Sequence, residues 1–382
     1  MLNRARREID GIAEDLFAPL LAPRSSTSAW RIVGWDCEQG LQIALARGEN
    51  VVLVELEPRD EARDCFARTR LFNVCARRAF KAATPLGPDD RRLVDLVVSV
   101  VRAREGRLPA FEPCASARSS LVREIEVPRL LIPEGERHYY VNPYVGCTIG
   151  CEFCYVAPRA DMSRRLEGLP SLEWGRYVDV KINAVDVLRR EVREHPRGIV
   201  RFSPILTDPY QPLERRYRIT RQCLEVLLEA GFAPVILTRA ARVTEDLELL
   251  RRFPAAAVGF SIPTDDDRIR QKFEPGADPI PVRIEALARC RAAGLRTFAA
   301  VQPMLPMDPE RLATQLAPHI DAVRVDRLYP SRSLRHLYEA AGMPEAAEDS
   351  FFVRMEAALR AAFAAKGVRY DELDGLDGLL GF

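Results

Sequence analysis

The 382-residue chain carries 56 Lys and Arg against 55 Asp and Glu, and 47% of it is hydrophobic. That length exceeds one ordinary core and suits one large domain with a smaller one, in a composition typical of soluble globular proteins. A net charge of +1 excludes a global field drawing the chain to nucleic acid or to a membrane, and no apolar run reaches the roughly 18 residues of a spanning helix.

The first residues, MLNRARREIDGIAEDL, mix acidic and basic groups and lack the apolar stretch of a secretory signal. Nine cysteines, an odd number, suit a reducing compartment better than a disulfide framework. The expected location is cytoplasmic. Leu2–Phe17 has the spacing of an amphipathic helix, closed by the Pro- and Ser-rich stretch Ala18–Ser28. Trp30–Trp35, Leu41–Leu45 and Val51–Leu56 read as strands, and the turn Arg47–Asn50 joins the last two as a hairpin. Residues 63–81 set Arg63, Arg68, Arg70, Arg77, Arg78 and Lys81 against Asp64, a local charge of +5, with Phe66, Phe72 and Phe80 interleaved. That mixture binds single-stranded nucleic acid, binds a phosphorylated small molecule, or forms a solvated helix with its apolar stripe inward; the helix is the preferred reading. Leu93–Arg104 is an apolar-striped helix and Pro109–Pro113 a break. Residues 1–115 are expected to form a small α+β domain, a candidate substrate-specificity module, followed by a linker over 116–135.

The segment Tyr140–Val156 reads YVNPYVGCTIGCEFCYV. Its Cys147, Cys151 and Cys154 follow the spacing C-x3-C-x2-C. Three thiolates so spaced suit three irons of a [4Fe–4S] cube. Four cysteines are the usual complement, so one iron is left without a protein ligand. An open iron binds substrate or cofactor, which points to chemistry rather than electron storage alone. Three other readings stand beside it. A ferredoxin run has different gaps and a fourth Cys. A structural zinc site needs four ligands, usually in pairs, and the nearest His, His138, lies nine residues before Cys147. Three inert, buried cysteines are the third. Cys223 and Cys290 fall in helical patterns as core residues. Cys37, Cys65, Cys75 and Cys114 lack ligand spacing, so one cluster is expected.

From His138 the pattern becomes strand, loop, helix, repeated. Strands are expected at His138–Asn142, Ile199–Leu206, Pro234–Thr238, Ala257–Ile262, Arg296–Val301 and Ala322–Arg327, with Val178–Ile182 joining the edge. Helices are expected at Ala184–Glu194, Arg221–Ala230, Val243–Arg252, Val282–Ala293 and Pro309–Leu316, with Gly231 and Gly294 placed as C-caps. Alternating elements argue for parallel strands. The fold class is α/β: a partial TIM-like (β/α)6 barrel over 136–330, with the extra N-terminal α+β domain and a C-terminal helical extension and tail over 331–382. Such barrels place chemistry at the C-terminal ends of their strands, and the cysteine loop follows the first strand.

The cysteine loop, with Phe153 before its third Cys, resembles that of the radical S-adenosylmethionine (SAM) enzymes. Asn142–Cys147 (NPYVGC), Lys181–Asn183 (KIN), Thr207–Glu214 (TDPYQPLE), Arg221–Leu227 (RQCLEVL), Phe273–Gly276 (FEPG) and Pro303–Pro306 (PMLP) resemble the spore photoproduct lyase and DNA repair photolyase-like branch. The likeness spans about residues 120–330. It implies that Cys147, Cys151 and Cys154 hold the cluster and that SAM chelates the open iron. One electron, from a reductant such as flavodoxin or ferredoxin, then yields a 5′-deoxyadenosyl radical that abstracts hydrogen from substrate. It also implies SAM contacts: Thr207 and Asp208 to the ammonium, Arg239 to the carboxylate where relatives usually carry Lys, Ser261 to the carboxylate or ribose, and Phe153 and Tyr155 near the adenine. Lys181 and Asn183 point toward SAM or substrate, or tie down the cysteine loop.

Two departures bear on the reaction. The lyase proper carries a hydrogen-donating Cys just before its strand-end Ser-Asp pair; here Leu206 stands there. The histidine common in the family's cysteine loop is replaced by Thr148 and Ile149. The expectation is therefore a radical SAM enzyme with an unidentified substrate, a small molecule or peptide being favoured. The alternatives are a nucleic-acid repair or modification enzyme and a non-catalytic Fe–S sensor or electron carrier.

Overall fold

The computed structural model describes residues 13–20, 30–36, 41–48, 50–59, 61, 64–79, 85–107, 121–167, 169–203, 206–325 and 335–370. The chain divides into two compact units, residues 1–146 with 155–196 and residues 147–154 with 197–382.

In the first unit, helix α1 (13–20) precedes strands β1 (Arg31–Asp36), β2 (Leu41–Arg47), β3 (Asn50–Pro58), β4 (Ala67–Arg68) and β5 (Phe72–Arg78), then helix α2 (Pro88–Arg104). The strands form an antiparallel sheet in the order β1-β2-β3-β5-β4. The expected hairpin is β2–β3. Alternation puts Ile43, Leu45, Val52, Val54, Leu56, Phe72 and Val74 on one face, where they bury against Leu93, Val94, Val97, Val98 and Val101 of α2. The helix begins with Pro88, carries Asp89 and Asp90 in its first turn and Arg102 and Arg104 in its last, as the helix dipole favours.

The basic segment within 63–81 is strand, not helix. Phe72 and Val74 alternate in period two, and pairing with β3 overrides helical propensity. Its charges are answered inside the unit: Arg77 lies 3.5 Å from Glu55, Arg78 lies 2.6 Å from Asp90, and Arg70 donates to the Glu105 carbonyl at 2.8 Å. Arg63, Phe80 and Lys81 lie outside the described residues, as do Cys37, Cys114, Pro109–Pro113 and the tail Asp371–Phe382.

The stretch 116–135 contains strands β6 (Leu121–Ile125) and β7 (Ile132–Gly135) where a linker is expected. β7 forms a hairpin with β8 (His138–Tyr140). After β9 (Tyr144–Val145) and α3 (Ala157–Leu166), β10 (Tyr177–Lys181) pairs parallel with β6 and antiparallel with β9, and α4 (Ala184–Glu194) follows. β10 therefore belongs to a separate three-stranded sheet rather than to a barrel edge. Its register is locked by Arg123, whose guanidinium grips the Asp179 carboxylate directly opposite at 2.9 and 2.5 Å.

The second unit repeats strand and helix. β11 (Ile199–Phe202), α5 (Glu214–Tyr217), α6 (Ile219–Ala230), β12 (Ala233–Thr238) and α7 (Leu247–Leu250) lead to β13 (Ala257–Ser261), α8 (Asp267–Phe273), α9 (Ile280–Ala292) and β14 (Arg296–Val301). α10 (Pro309–Leu316), β15 (Ala322–Val325), α11 (Arg335–Ala340), α12 (Asp349–Ala365) and β16 (Arg369–Tyr370) complete it. β11 to β16 lie side by side in chain order, all parallel. This is the expected partial-barrel architecture, and among the described residues the sheet does not close. Gly231 and Gly294 end α6 and α9 at φ +75° and +84°, values a side chain strains to adopt. The region expected as helix from Val243 begins as a 3-10 turn, Ala241–Asp246. No described helix is long and apolar enough to cross a membrane.

One buried row joins Ile199, Val235, Leu237, Ala257, Phe298, Ala300 and Ala322. Gly259 belongs to the same side; a Cβ there would stand 2.3 Å from the Phe298 ring, so glycine alone admits that ring. Period-two alternation carries this side on to Arg239, two residues past Leu237, and to Ser261, two past Gly259. The strand ends thus deliver these two residues to one rim.

Candidate active site

The cysteine loop belongs to the second unit and is fastened there by backbone. Gly150 and Cys154 donate to the carbonyls of Cys147 and Cys151, making two tight turns. Glu152 donates to the Phe273 carbonyl at 3.0 Å, and Gly276 to the Ile149 carbonyl at 3.1 Å. The FEPG segment is therefore a second strip of backbone lying against the loop. A Cβ on Gly276 would sit 2.7 Å from the Ile149 carbonyl oxygen and 2.9 Å from its Cα, so the approach requires glycine.

TDPYQPLE acts as a clamp. Gln211, fully buried, accepts from the Thr148 N–H at 3.2 Å and donates to Thr207 Oγ1 at 2.6 Å, tying the cysteine loop to the segment that follows β11. Asp208 accepts from Thr238 Oγ1 at 2.6 Å, from the Arg239 N–H at 2.7 Å and from the Tyr210 N–H at 2.9 Å. It joins the end of β12 to the segment after β11, which ends at Phe202 rather than at the expected Leu206. Three of its four lone-pair positions are filled within the protein, a structural engagement beyond the expected SAM contact. Burial pushes its carboxyl above the usual range despite those bonds. Tyr210 donates to Asp246 at 2.9 Å, and Glu214 accepts from the N–H groups of Thr220 and Arg221, capping α6.

Arg239 is buried and donates through Nε to Glu274 Oε1 at 2.5 Å; its guanidinium stands 5.8 Å from the Phe153 ring centroid. Glu274 Oε2 accepts from Arg283 Nη2 at 2.7 Å, and Arg283 also donates to the carbonyls of Ser261 and Asp278. Burial alone would raise the Glu274 carboxyl, but the Arg283 and Arg239 guanidiniums hold it below the usual range. Burial likewise opposes charge on Arg239, which Cys151, Glu274 and Asp208 nonetheless hold protonated.

Cys147, Cys151, Cys154, Phe153, Thr207, Asp208, Arg239 and Ser261 are thus all placed in this unit. Tyr155, Lys181 and Asn183 belong to the other. Tyr155 is exposed, with the Arg159 guanidinium 5.1 Å from its ring. Lys181 is buried at the end of β10, its N–H on the Pro143 carbonyl. Asn183 engages both ends of its amide with the Val127 backbone, each at 2.9 Å, and so braces that segment. Gln211, Glu274 and Gly276 carried a signal only as members of TDPYQPLE and FEPG, and Arg283, in α9, carried none; the buried pairings of all four are created by the fold.

The donor chemistry fits an iron–sulfur cluster. Burial pushes the Cys147 thiol up to about 12 and Cys151 well above the usual range, and the neighbouring thiols add to both shifts. Two buried thiols, with the partly exposed Cys154 on the same loop, hold negative charge only when a cationic centre takes it up. Among the described residues no three His, Cys, Asp or Glu side chains meet at a single ion. In a cube each thiolate has its own iron. A cavity of about 410 Å³ borders the loop at Ile149 and Gly276 and is lined by Tyr210, Pro212, Arg242 and Arg289; none of the candidate residues lines it.

Residues 141–314, somewhat under half of the chain, match the radical SAM superfamily. The chain is 26% identical over 205 residues to an uncharacterized protein of Methanocaldococcus jannaschii, covering 53% of this chain and 75% of that protein. It is 29% identical over 166 residues to a radical SAM Nalpha-GlyT isomerase of Pseudomonas phage M6, covering 43% of this chain but 33% of the isomerase. An uncharacterized Mycobacterium tuberculosis protein is 31% identical over 174 residues, and the match spans half of its length. Among solved structures, a spore photoproduct lyase complexed with dinucleoside spore photoproduct aligns at a TM-score of 0.45 and 16% identity, over 61% of this chain and 75% of that one.

Proposed function

We propose that this protein is a radical SAM enzyme whose Cys147, Cys151 and Cys154 hold one [4Fe–4S] cluster with an iron open to SAM. A cluster held there would supply the electron for reductive cleavage of SAM to methionine and a 5′-deoxyadenosyl radical, which would take a hydrogen atom from substrate. The observation that carries the reading is the double fastening of the cysteine loop, by Gln211 on one side and Phe273–Gly276 on the other, beside a buried Arg239. Arg239 and Ser261 at the strand ends bind the SAM carboxylate and ribose. Thr207 and Asp208 line the ammonium side, with Asp208 also joining the strands. Phe153 packs near the adenine. The electron comes from a one-electron carrier of the flavodoxin or ferredoxin class.

The substrate is a small molecule or peptide. The paired arginines of the 63–81 strands argue against a nucleic-acid surface there. Leu206, buried where the lyase's thiol donor stands, argues against thymine-dimer repair. The phage isomerase shares too little of its length to lend its target. Anaerobic protein reconstituted with iron and sulfide, then given SAM and dithionite, is expected to release 5′-deoxyadenosine and methionine in equal amounts. Iron-loaded protein that releases neither would sink the proposal.

A further inference from the structure

Glu274 sits fully buried between two guanidiniums, and the proposed chemistry gives it no task. Two arginines against one carboxylate leave an excess positive charge in this trio. That excess is directed by geometry. Arg239 has five N–H donors on its guanidinium. Nε is bound to Glu274 Oε1 at 2.5 Å, and the backbone N–H is bound to Asp208. The four N–H groups on Nη1 and Nη2 have no acceptor among the described residues, although the residue is only 8% exposed.

Glu274 itself cannot move. Its second oxygen is bound by Arg283, which the carbonyls of Ser261 and Asp278 hold in turn. The Glu274 backbone carbonyl is bound by Arg270 at 3.1 Å. The Phe153 ring bounds the guanidinium on another side.

We infer that Glu274 is a positioning residue: it grips Arg239 by Nε so that the Nη1–Nη2 edge is presented to the carboxylate of SAM. This rests on the functional reading above and names the device that sets its geometry. The planar Nη edge matches a carboxylate bidentately, and fixing it beforehand removes the ordering cost from binding. A lysine ammonium has no second planar edge and cannot keep one face on Glu274 while offering a fork to a ligand.

Glu274→Asp keeps the charge and shortens the reach, and Glu274→Gln keeps the length and removes the charge. SAM affinity of the cluster-loaded proteins is measured by anaerobic calorimetry, with iron per chain determined in parallel. Each variant is expected to keep its iron and bind SAM about tenfold more weakly, the scale of a lost charge-assisted hydrogen bond. In an Arg239→Ala background neither change should weaken binding further, because the effect passes through Arg239. Equal losses in both backgrounds would make Glu274 a general support and overturn the inference. So would unchanged affinity, or loss of iron from Glu274→Asp. Wild-type, iron-loaded protein that does not bind SAM overturns the functional reading itself, and the inference with it.

Discussion

Replacing Cys151 with alanine is expected to reduce the iron of anaerobically reconstituted protein from about four per chain to less than about one, and 5′-deoxyadenosine formation to background. With three thiolates for a cluster that usually has four, each is indispensable. Two remaining ligands on one short loop do not retain it. The control is Cys223→Ala. Cys223 is equally buried, in α6, but lies in a packed helix with no second thiol at ligand spacing. Its removal leaves a cavity and lowers stability, while iron content stays at the parent's level. Equal iron in Cys151→Ala and parent would remove the loop from consideration as the cluster site.

Gly276→Ala is expected to strike the same cluster without touching a ligand. The new methyl would lie 2.7 Å from the Ile149 carbonyl oxygen and 3.0 Å from that of Thr148. Both are backbone atoms of the loop between Cys147 and Cys151, so no side chain can swing away. The loop must shift or the Gly276 N–H must release Ile149. Overpacking of this kind costs about 1–3 kcal/mol. Because the strain falls on the ligand loop, it should appear as cluster affinity, at tenfold per about 1.4 kcal/mol. Cluster occupancy at limiting iron should therefore fall severalfold, with the far-ultraviolet circular dichroism of the fold preserved. Full occupancy in Gly276→Ala would mean that the FEPG segment does not hold the loop.

The parts legible in the sequence were those fixed by local pattern. Cys147, Cys151 and Cys154 are a spacing. Arg296–Val301 and Pro309–Leu316 are bounded by strong hydrophobic period and, at the helix, by Pro309 with Asp308 capping it. Gly231 and Gly294 announce helix ends because few other residues tolerate positive φ. What escaped depended on partners distant in sequence. Leu121–Ile125 (LVREI) has little hydrophobic pattern, and it is a strand because Arg123 meets Asp179, 56 residues away. Phe72–Arg78 carries enough arginine to read as a helix surface, and the neighbouring β3 decides otherwise. Asp208 was legible as a turn or a ligand residue; its Tyr210 N–H bond is the turn, and its bond to Arg239 is the fold's addition. Glu274 looked like one letter of a motif, and only the convergence of α8, α9 and the end of β12 makes it the centre of a charge network.

The most direct test of an iron left open to SAM is the electron paramagnetic resonance spectrum of the reconstituted, dithionite-reduced protein, recorded with and without SAM. Coordination of SAM at that iron alters the environment of the unpaired spin, so the signal is predicted to change its g values on addition of SAM. A reduced-cluster spectrum identical with and without SAM would contradict the account.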